Sequence, residues 1–207
     1  MSEVMLQQTQ VERVIPKYKA FLKAFPTPQK LAKAPLLRVL KLWSGLGYNR
    51  RAKYLWEAAK QWGAPIETLP GVGPYTASAV HVFAFNKPEI LIETNVRTVF
   101  IHHLFPKSKK VTDRRLVPFI THTLDTKNPR EWYSALMDYG SHLKSTHPNP
   151  SRRSKHHTTQ KPFKGSDREI RGVILKAYLA RTPLSKLPFD RIRVRALHKK
   201  MQLEGLF

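Results

Sequence analysis

Residues 69–77 read LPGVGPYTA, with Gly71 and Gly73 two positions apart and a proline directly after the second. The two glycines permit a hairpin whose backbone N–H groups face outward, and Pro74 then suits the first position of a helix whose positive end points the same way. A turn of this kind, built from Gly71, Val72 and Gly73 and followed by Tyr75 and Thr76, grips a phosphate through its main chain without reading a base. The plainer alternative is a glycine-rich helix connection. Residues 2–11, SEVMLQQTQV, set the carboxylate of Glu3 and three glutamines within three helical turns. Read alone, Glu3 is a first-turn acid that favours the helix dipole. By the same standard Tyr48 is an aromatic following a glycine turn, Glu93 an N-terminal cap and Asp138 a helix-surface acid.

The charge balance says what such residues would act on. There are 37 Lys and Arg against 14 Asp and Glu, a formal charge of +23 and a pI near 10.5. Solubility does not require that excess, so a polyanionic partner is expected, nucleic acid before membrane. No run of 18 apolar residues and no basic region plus apolar block at the start argue against a membrane span or a secretory signal, which places the protein inside the cell, in cytoplasm or nucleoid. Zero cysteines exclude a disulfide framework, a thiol nucleophile, Cys-ligated zinc and a thiolate-held iron–sulfur cluster. His142, His147, His156 and His157 read as histidines scattered through a basic loop, not as a metal site.

The elements that must position these residues are helical. Val11, Val14, Ile15, Tyr18, Phe21, Leu22 and Phe25 follow steps of three and one, predicting a first helix of about six turns that tolerates Pro16. Helical pieces are expected in 26–43, then a helix with Tyr54, Leu55, Ala58 and Trp62 on one side, and further helices at 95–104, 113–125 and 129–143, the last opened by Asn128 and Pro129. Strand-like alternation is nearly absent, so the fold class is all-α. Residues 144–165 carry six basic residues, no acid and three prolines, predicting an extended basic linker. Residues 166–207 read as a helix, a proline-marked turn, a short element and a last helix, a small helix-turn-helix-like unit whose Arg191, Arg193, Arg195, Lys199 and Lys200 suit phosphates or form a solvated face.

The motifs together resemble the helix-hairpin-helix DNA glycosylase superfamily that includes endonuclease III. SEVMLQQTQVERVIPKYKAFLKAFP and LWSGLGYNRRAKYL resemble its MutY branch, the adenine DNA glycosylases, and the likeness runs over roughly residues 2–143. The resemblance implies a helix-hairpin-helix glycosylase core at 1–143 and removal of adenine mispaired with 8-oxoguanine or guanine in double-stranded DNA, by a monomer. It puts the catalytic acid and base on Glu3, which would protonate the departing base and activate water. Gln8 becomes a wedge inserted opposite the flipped nucleotide and Tyr48 a second intercalating residue, compensating an unstacking cost of a few kcal/mol. Arg50, Gly71, Val72, Gly73 and Thr76 fall to the DNA backbone, with room for a monovalent cation at the hairpin, and Asp138 to the adenine edge.

The chain also departs from that pattern. Tyr75 stands where bifunctional relatives carry a Schiff-base lysine, which predicts base removal without lyase chemistry. Glu93 replaces an Asp that would stabilise the sugar cation, one methylene longer. No cysteines follow ALMDYG, so no iron–sulfur cluster and no other cofactor are expected. The tail stands in place of the family's 8-oxoguanine-inspecting domain. With only Met1 and Ser2 ahead of it, Glu3 is expected at a helix end whose dipole lowers its pKa. Two other readings use the same residues: a helix-hairpin-helix glycosylase for uracil or thymine mismatches, and a non-catalytic protein that binds lesion DNA.

Overall fold

The computed structural model describes residues 1–160 and 162–207. In chain order the α-helices are α1 (Ser2–Leu6), α2 (Val11–Ala24), α3 (Pro28–Ala32), α4 (Leu36–Trp43) and α5 (Arg50–Lys60), then α6 (Pro74–Phe85), α7 (Thr94–Leu104), α8 (Asp113–Thr123) and α9 (Pro129–Thr146), and finally α10 (Asp167–Leu179) and α11 (Arg191–Leu203). Short 3-10 turns at Ile66–Thr68, Pro150–Arg153 and Leu184–Lys186 join them. No strand occurs among the described residues, and the isolated bridge of Val111 with Ser154 is the one β-type pairing there. The all-α expectation stands.

The chain divides into two compact units, one made of Met1–Val72 with Lys161–Phe207, the other of Gly73–Gln160. In the first, α2 with its C-cap Phe25 and α4 turn Phe21, Phe25, Val39, Leu40 and Trp43 inward, and the edge-on rings of Phe21 and Trp43 lie 6.3 Å apart. Ile170, Ile174 and Leu175 of α10 and Val194, Leu197 and Met201 of α11 belong to that same core. The tail at 166–207 is therefore packed as part of the unit that holds α1. Apolar period explains α11, which buries Val194, Leu197 and Met201 at steps of three and four while its five basic residues face outward or sideways.

In the second unit α7 and α9 pack closely around Val96, Ile101 and Tyr133. The Tyr133 hydroxyl accepts from the Leu91 amide at 2.8 Å and donates to the Glu89 carbonyl at 2.9 Å, which satisfies a buried phenol. Gly140 of α9 sits directly against the backbone of Asn95, a crossing that leaves no volume for a side chain.

Three sequence expectations are corrected. The six-turn first helix is two helices, α1 and α2, because the chain breaks at Gln7 to Gln10, with Gln8 at φ 54°. Trp62 lies beyond the end of α5 and is 66% exposed, so it is no part of the apolar face. The stretch 144–165 is not extended throughout: α9 runs on to Thr146, a 3-10 turn follows, and Val111 exchanges backbone hydrogen bonds of 2.8 Å with Arg153 and Lys155. Lys161 within that stretch lies outside the described residues.

Candidate functional site

The first unit is organised around one buried cation. Arg51, in the first turn of α5, is 8% exposed. Its Nη1 donates to the carbonyls of Val4 (2.9 Å), Met5 (3.0 Å) and Gln7 (2.5 Å), and its Nη2 to Thr9 Oγ1 (3.0 Å) and to the carbonyls of Leu46 (3.2 Å) and Gly47 (3.1 Å). A helix leaves its last carbonyls without internal partners, and this guanidinium collects those of α1 while tying down the loop between α4 and α5. Trp43 Nε1 also donates to Gly47 (3.0 Å), and the guanidinium lies 5.3 Å from the ring centroids of both Trp43 and Tyr48. Burial lowers the Arg51 pKa to about 10, with Tyr48 opposing the shift.

The residues that follow the clamped carbonyls are Gln8 and Tyr48. Both are left-handed, at φ 54° and φ 47°, a conformation that side chains other than glycine seldom adopt. Arg51 holds the peptide carbonyl just ahead of each, so the two turns are set by one side chain. Asn86, Lys110 and Arg181 share this conformation elsewhere in the chain, so what sets Gln8 and Tyr48 apart is the shared clamp by Arg51. Gln8, Tyr48 and Arg50 line a single open cavity of about 470 Å³, which α10 and α11 close with Arg168, Arg171 and Lys200. Arg168 reaches the Tyr48 ring at 5.9 Å and its hydroxyl at 3.4 Å. Arg50 donates to the Tyr54 hydroxyl at 2.5 Å and lies over that ring.

Tyr54 in turn touches the glycine hairpin. Gly71 has φ +76°, and a Cβ there would lie 2.6 Å from Tyr54 Cβ, so both conformation and space demand glycine. Gly73 differs from expectation: at φ −93° it is an extended N-cap of α6, with open space around its Cα. The Val72 amide donates to the Leu69 carbonyl at 3.1 Å, which closes the turn. Thr76, in the first turn of α6, is buried at 4% exposure.

Glu3 stands in the one-turn helix α1 beside buried Val4 and Met5, and it is not among the residues that line the cavity of Gln8 and Tyr48. The expectation that helix position lowers its pKa is reversed. Burial raises it, because desolvation outweighs the opposing pull of the Met1 ammonium. The expectation from sequence that Glu3 and Gln8 share a helix is corrected: α1 ends at Leu6, and Gln8 belongs to the turn that Arg51 holds.

In the second unit Glu93 is the N-cap of α7. Its Oε1 accepts from the Asn95 amide and, at 2.8 Å, from the Val96 amide. Burial raises its pKa, while those amides together with Lys144 and Arg97 draw it down. Arg97 holds Asp113 in a two-pronged pair at 2.7 Å and feels the Tyr75 phenol. Tyr75 lies in the first turn of α6, 42% exposed, and Asp138 is exposed on α9. Where the family's cysteines would stand after α9, this chain has His147, Pro148 and the Pro150–Arg153 turn, and no thiolate to bind iron. The residues present do not fit an iron–sulfur cluster. Among the described residues no group of three or more His, Cys, Asp or Glu is arranged to hold a metal ion.

Sequence reading missed Arg51, Arg168 and Arg171. The signal for Arg51 was there: it stands three and four positions before Tyr54 and Leu55, which puts an arginine on the apolar face of α5. Arg168 and Arg171 carried none, because nothing local ties α10 to Tyr48, 120 residues away.

Comparison with known proteins bears on this geometry. The sequence model for HhH-GPD superfamily base excision DNA repair proteins matches residues 1–119. An adenine DNA glycosylase of Buchnera aphidicola is 35% identical over 155 residues, 68% of this chain and 43% of its own length. That of Mycolicibacterium smegmatis is 36% identical over 153 residues, 68% of this chain and 52% of its own. The human adenine DNA glycosylase is 34% identical over 155 residues, 28% of its length. The chain thus spans about half or less of these relatives. Among solved structures, a thermostable thymine-DNA glycosylase superposes with a TM-score of 0.58 at 24% identity, over 74% of this chain and 75% of that one. Endonuclease III trapped as a covalent intermediate with DNA gives 0.52 at 21% identity, over 78% and 75%.

Proposed function

The chain belongs to the HhH-GPD superfamily of base excision DNA repair proteins, and from that premise we propose that it is a DNA glycosylase that removes adenine mispaired with 8-oxoguanine or guanine. The observation that carries this reading is the pair of left-handed turns, Gln8 and Tyr48, set by Arg51 and lining one cationic cavity. In this reading the side chains of Gln8 and Tyr48 enter the base stack, and the clamped turns hold them in place before DNA arrives. The similarity of 34 to 36% to adenine DNA glycosylases supports the choice of base.

In this reading Glu3 gives its proton to the departing adenine as the bond to the sugar breaks, the bonding electron pair leaving with the base. The resulting carboxylate then takes a proton from the water that attacks the sugar. A pKa raised by burial keeps more of Glu3 protonated for the first half of that cycle. Glu93, held in place by the Val96 amide, would face the positive charge that develops on the sugar. Tyr75 offers no amine, so the product is an intact abasic site, without strand cleavage. Asp138 would contact the adenine edge, and the turn of Gly71, Val72 and Gly73 a phosphate.

Single-turnover base release tests this on duplexes with adenine opposite 8-oxoguanine, guanine or thymine, and with uracil or thymine in mismatches, using wild type and Glu3→Gln. Adenine release opposite 8-oxoguanine or guanine, lost in the variant, is the expected result. Release of uracil or thymine instead overturns the assignment of the base, and tight binding without any release overturns catalysis.

A further inference from the structure

The glycosylase reading accounts for Gln8 and Tyr48 but assigns nothing to the C-terminal helices that close the cavity beside them. Five cations line that cavity, Arg50, Arg51, Arg168, Arg171 and Lys200, against two carboxylates, Asp167 and Glu204. Both carboxylates already hold guanidinium partners. Glu204 pairs with Arg171 through two oxygens, one of them at 3.2 Å, and Asp167 accepts from Arg193 Nε at 2.9 Å. Arg51 is spent on backbone carbonyls. Cations therefore outnumber carboxylates in the cavity lining, and the tail supplies Arg168, Arg171 and Lys200 to it.

Their placement is specific. Arg168 lies at the Tyr48 ring and hydroxyl, and Lys200 is exposed on α11, one helical turn after buried Leu197 and directly before buried Met201, which anchor that helix in the core. Lys53 adds a further tie, donating to the Glu204 carbonyl at 2.7 Å at the end of α11. The tail is thus fixed by packing, with two cationic side chains held where a strand must pass if Tyr48 enters its stack. The size of the cavity, about 470 Å³, admits a nucleotide unit of that strand.

Resting on the DNA reading above, we propose that α10 and α11 are part of the DNA interface, with Arg168 and Lys200 binding backbone phosphates beside the position that Tyr48 fills. Phosphate contacts fix register and carry no base information, so the tail sets affinity and placement and leaves the choice of base to other residues.

The test measures affinity of the full chain for a fluorescent duplex with a stable abasic-site analogue, and for the undamaged duplex, over a series of KCl concentrations. Wild type is compared with Arg168→Ala/Lys200→Ala and with the charge-conserving Arg168→Lys/Lys200→Arg. The alanine variant is expected to lose about two units of the slope of log K against log salt and to weaken equally on both duplexes. The charge-conserving variant is expected to regain the slope. Unchanged slope and affinity in the alanine variant overturn the proposal. So does a loss that the charge-conserving variant fails to restore and that a lowered urea midpoint accompanies, because then the residues act through folding. Wild type that binds neither duplex overturns the DNA reading itself, a result distinct from either of these.

Discussion

Arg51 gives the residue scale its clearest prediction. One guanidinium serves six acceptors drawn from α1, the turn after it and the loop before α5, a geometry that a single ammonium cannot reproduce. Arg51→Lys removes the guanidinium donor from several of these carbonyls, and Arg51→Met removes it from all of them, with Gly47 keeping Trp43 Nε1 and Leu46 keeping Thr9 Oγ1. Losses on the order of 3–5 kcal/mol are expected for Met and about half that for Lys in urea denaturation, with base release falling further than stability alone explains. A Lys variant as stable as wild type would mean that the turns hold themselves. Glu3 makes the opposite kind of prediction. Its folded pKa is raised by burial above the ordinary 4.5, so between those two values the folded chain binds more protons than the unfolded one. Stability then declines as pH rises through that window and stays lower above it. Glu3→Gln is expected to abolish base release and yet to be more stable than wild type at neutral pH, with a flatter stability profile. What remains of the slope comes in part from Glu93, whose pKa is raised in the same direction. In wild type, base release should decline as pH rises past the folded pKa of Glu3, since the acid form is consumed. A Glu3→Gln variant that is less stable at neutral pH would show that the carboxylate makes contacts worth more than its desolvation costs.

At the scale of elements, the hairpin and the helices around it separate what a sequence spells out from what packing decides. LPGVGP announced a turn and a helix start, and Pro74 does open α6. The two glycines read as equivalent there, but they are not. Gly71 is left-handed and abuts Tyr54, whereas Gly73 is extended with open space. Gly71→Ala is expected to cost roughly 2–4 kcal/mol from a strained φ and a clash that displaces Tyr54, and to weaken DNA binding by moving Tyr54 away from Arg50. Gly73→Ala is expected to cost no more than about 1 kcal/mol, the ordinary penalty of alanine at an N-cap. Thermal denaturation of the two variants decides this, and equal losses would place the constraint on the turn as a whole. The difference was invisible in sequence because it depends on Tyr54, a neighbour from α5. The break between α1 and α2 was hidden for a like reason. Val11 to Phe25 keeps its helical period, and the interruption at Gln8 comes from a guanidinium 43 positions later. The apolar stripes of α2, α7 and α9 were legible because burial on one face writes a period into the chain. Glu93 was legible as a cap from its place before Thr94, and the cap is what the structure holds.

Across the whole molecule the tail changes how stability should be distributed. Residues 166–207 look like an appended unit in sequence, since a basic, proline-bearing stretch precedes them and their helices have an apolar face of their own. Packing joins them instead to α1, α2 and α4: Ile174, Leu175 and Met201 lie in one core with Met5, Phe21 and Trp43. Segments about 90 residues apart in the chain thus form one unit, with Gly73–Gln160 as a second compact unit inserted between them in sequence. A shared core implies a shared opening, because exposing one face of it exposes the other. Met201 is fully buried, so Met201→Ala should destabilise by about 2–5 kcal/mol. Under native-state hydrogen exchange that loss should appear in α4, around Leu40 and Trp43, as fully as in α11 itself. A variant in which α10 and α11 lose protection while α4 keeps its own would show that the tail opens as a separate unit. In that case Arg168 and Lys200 would be carried by a detachable element, and the affinity they supply would depend on how often the tail is docked. Common loss of protection places them on the same rigid body as Gln8 and Tyr48, so that a phosphate bound by the tail and a base displaced by Tyr48 are held in one fixed register.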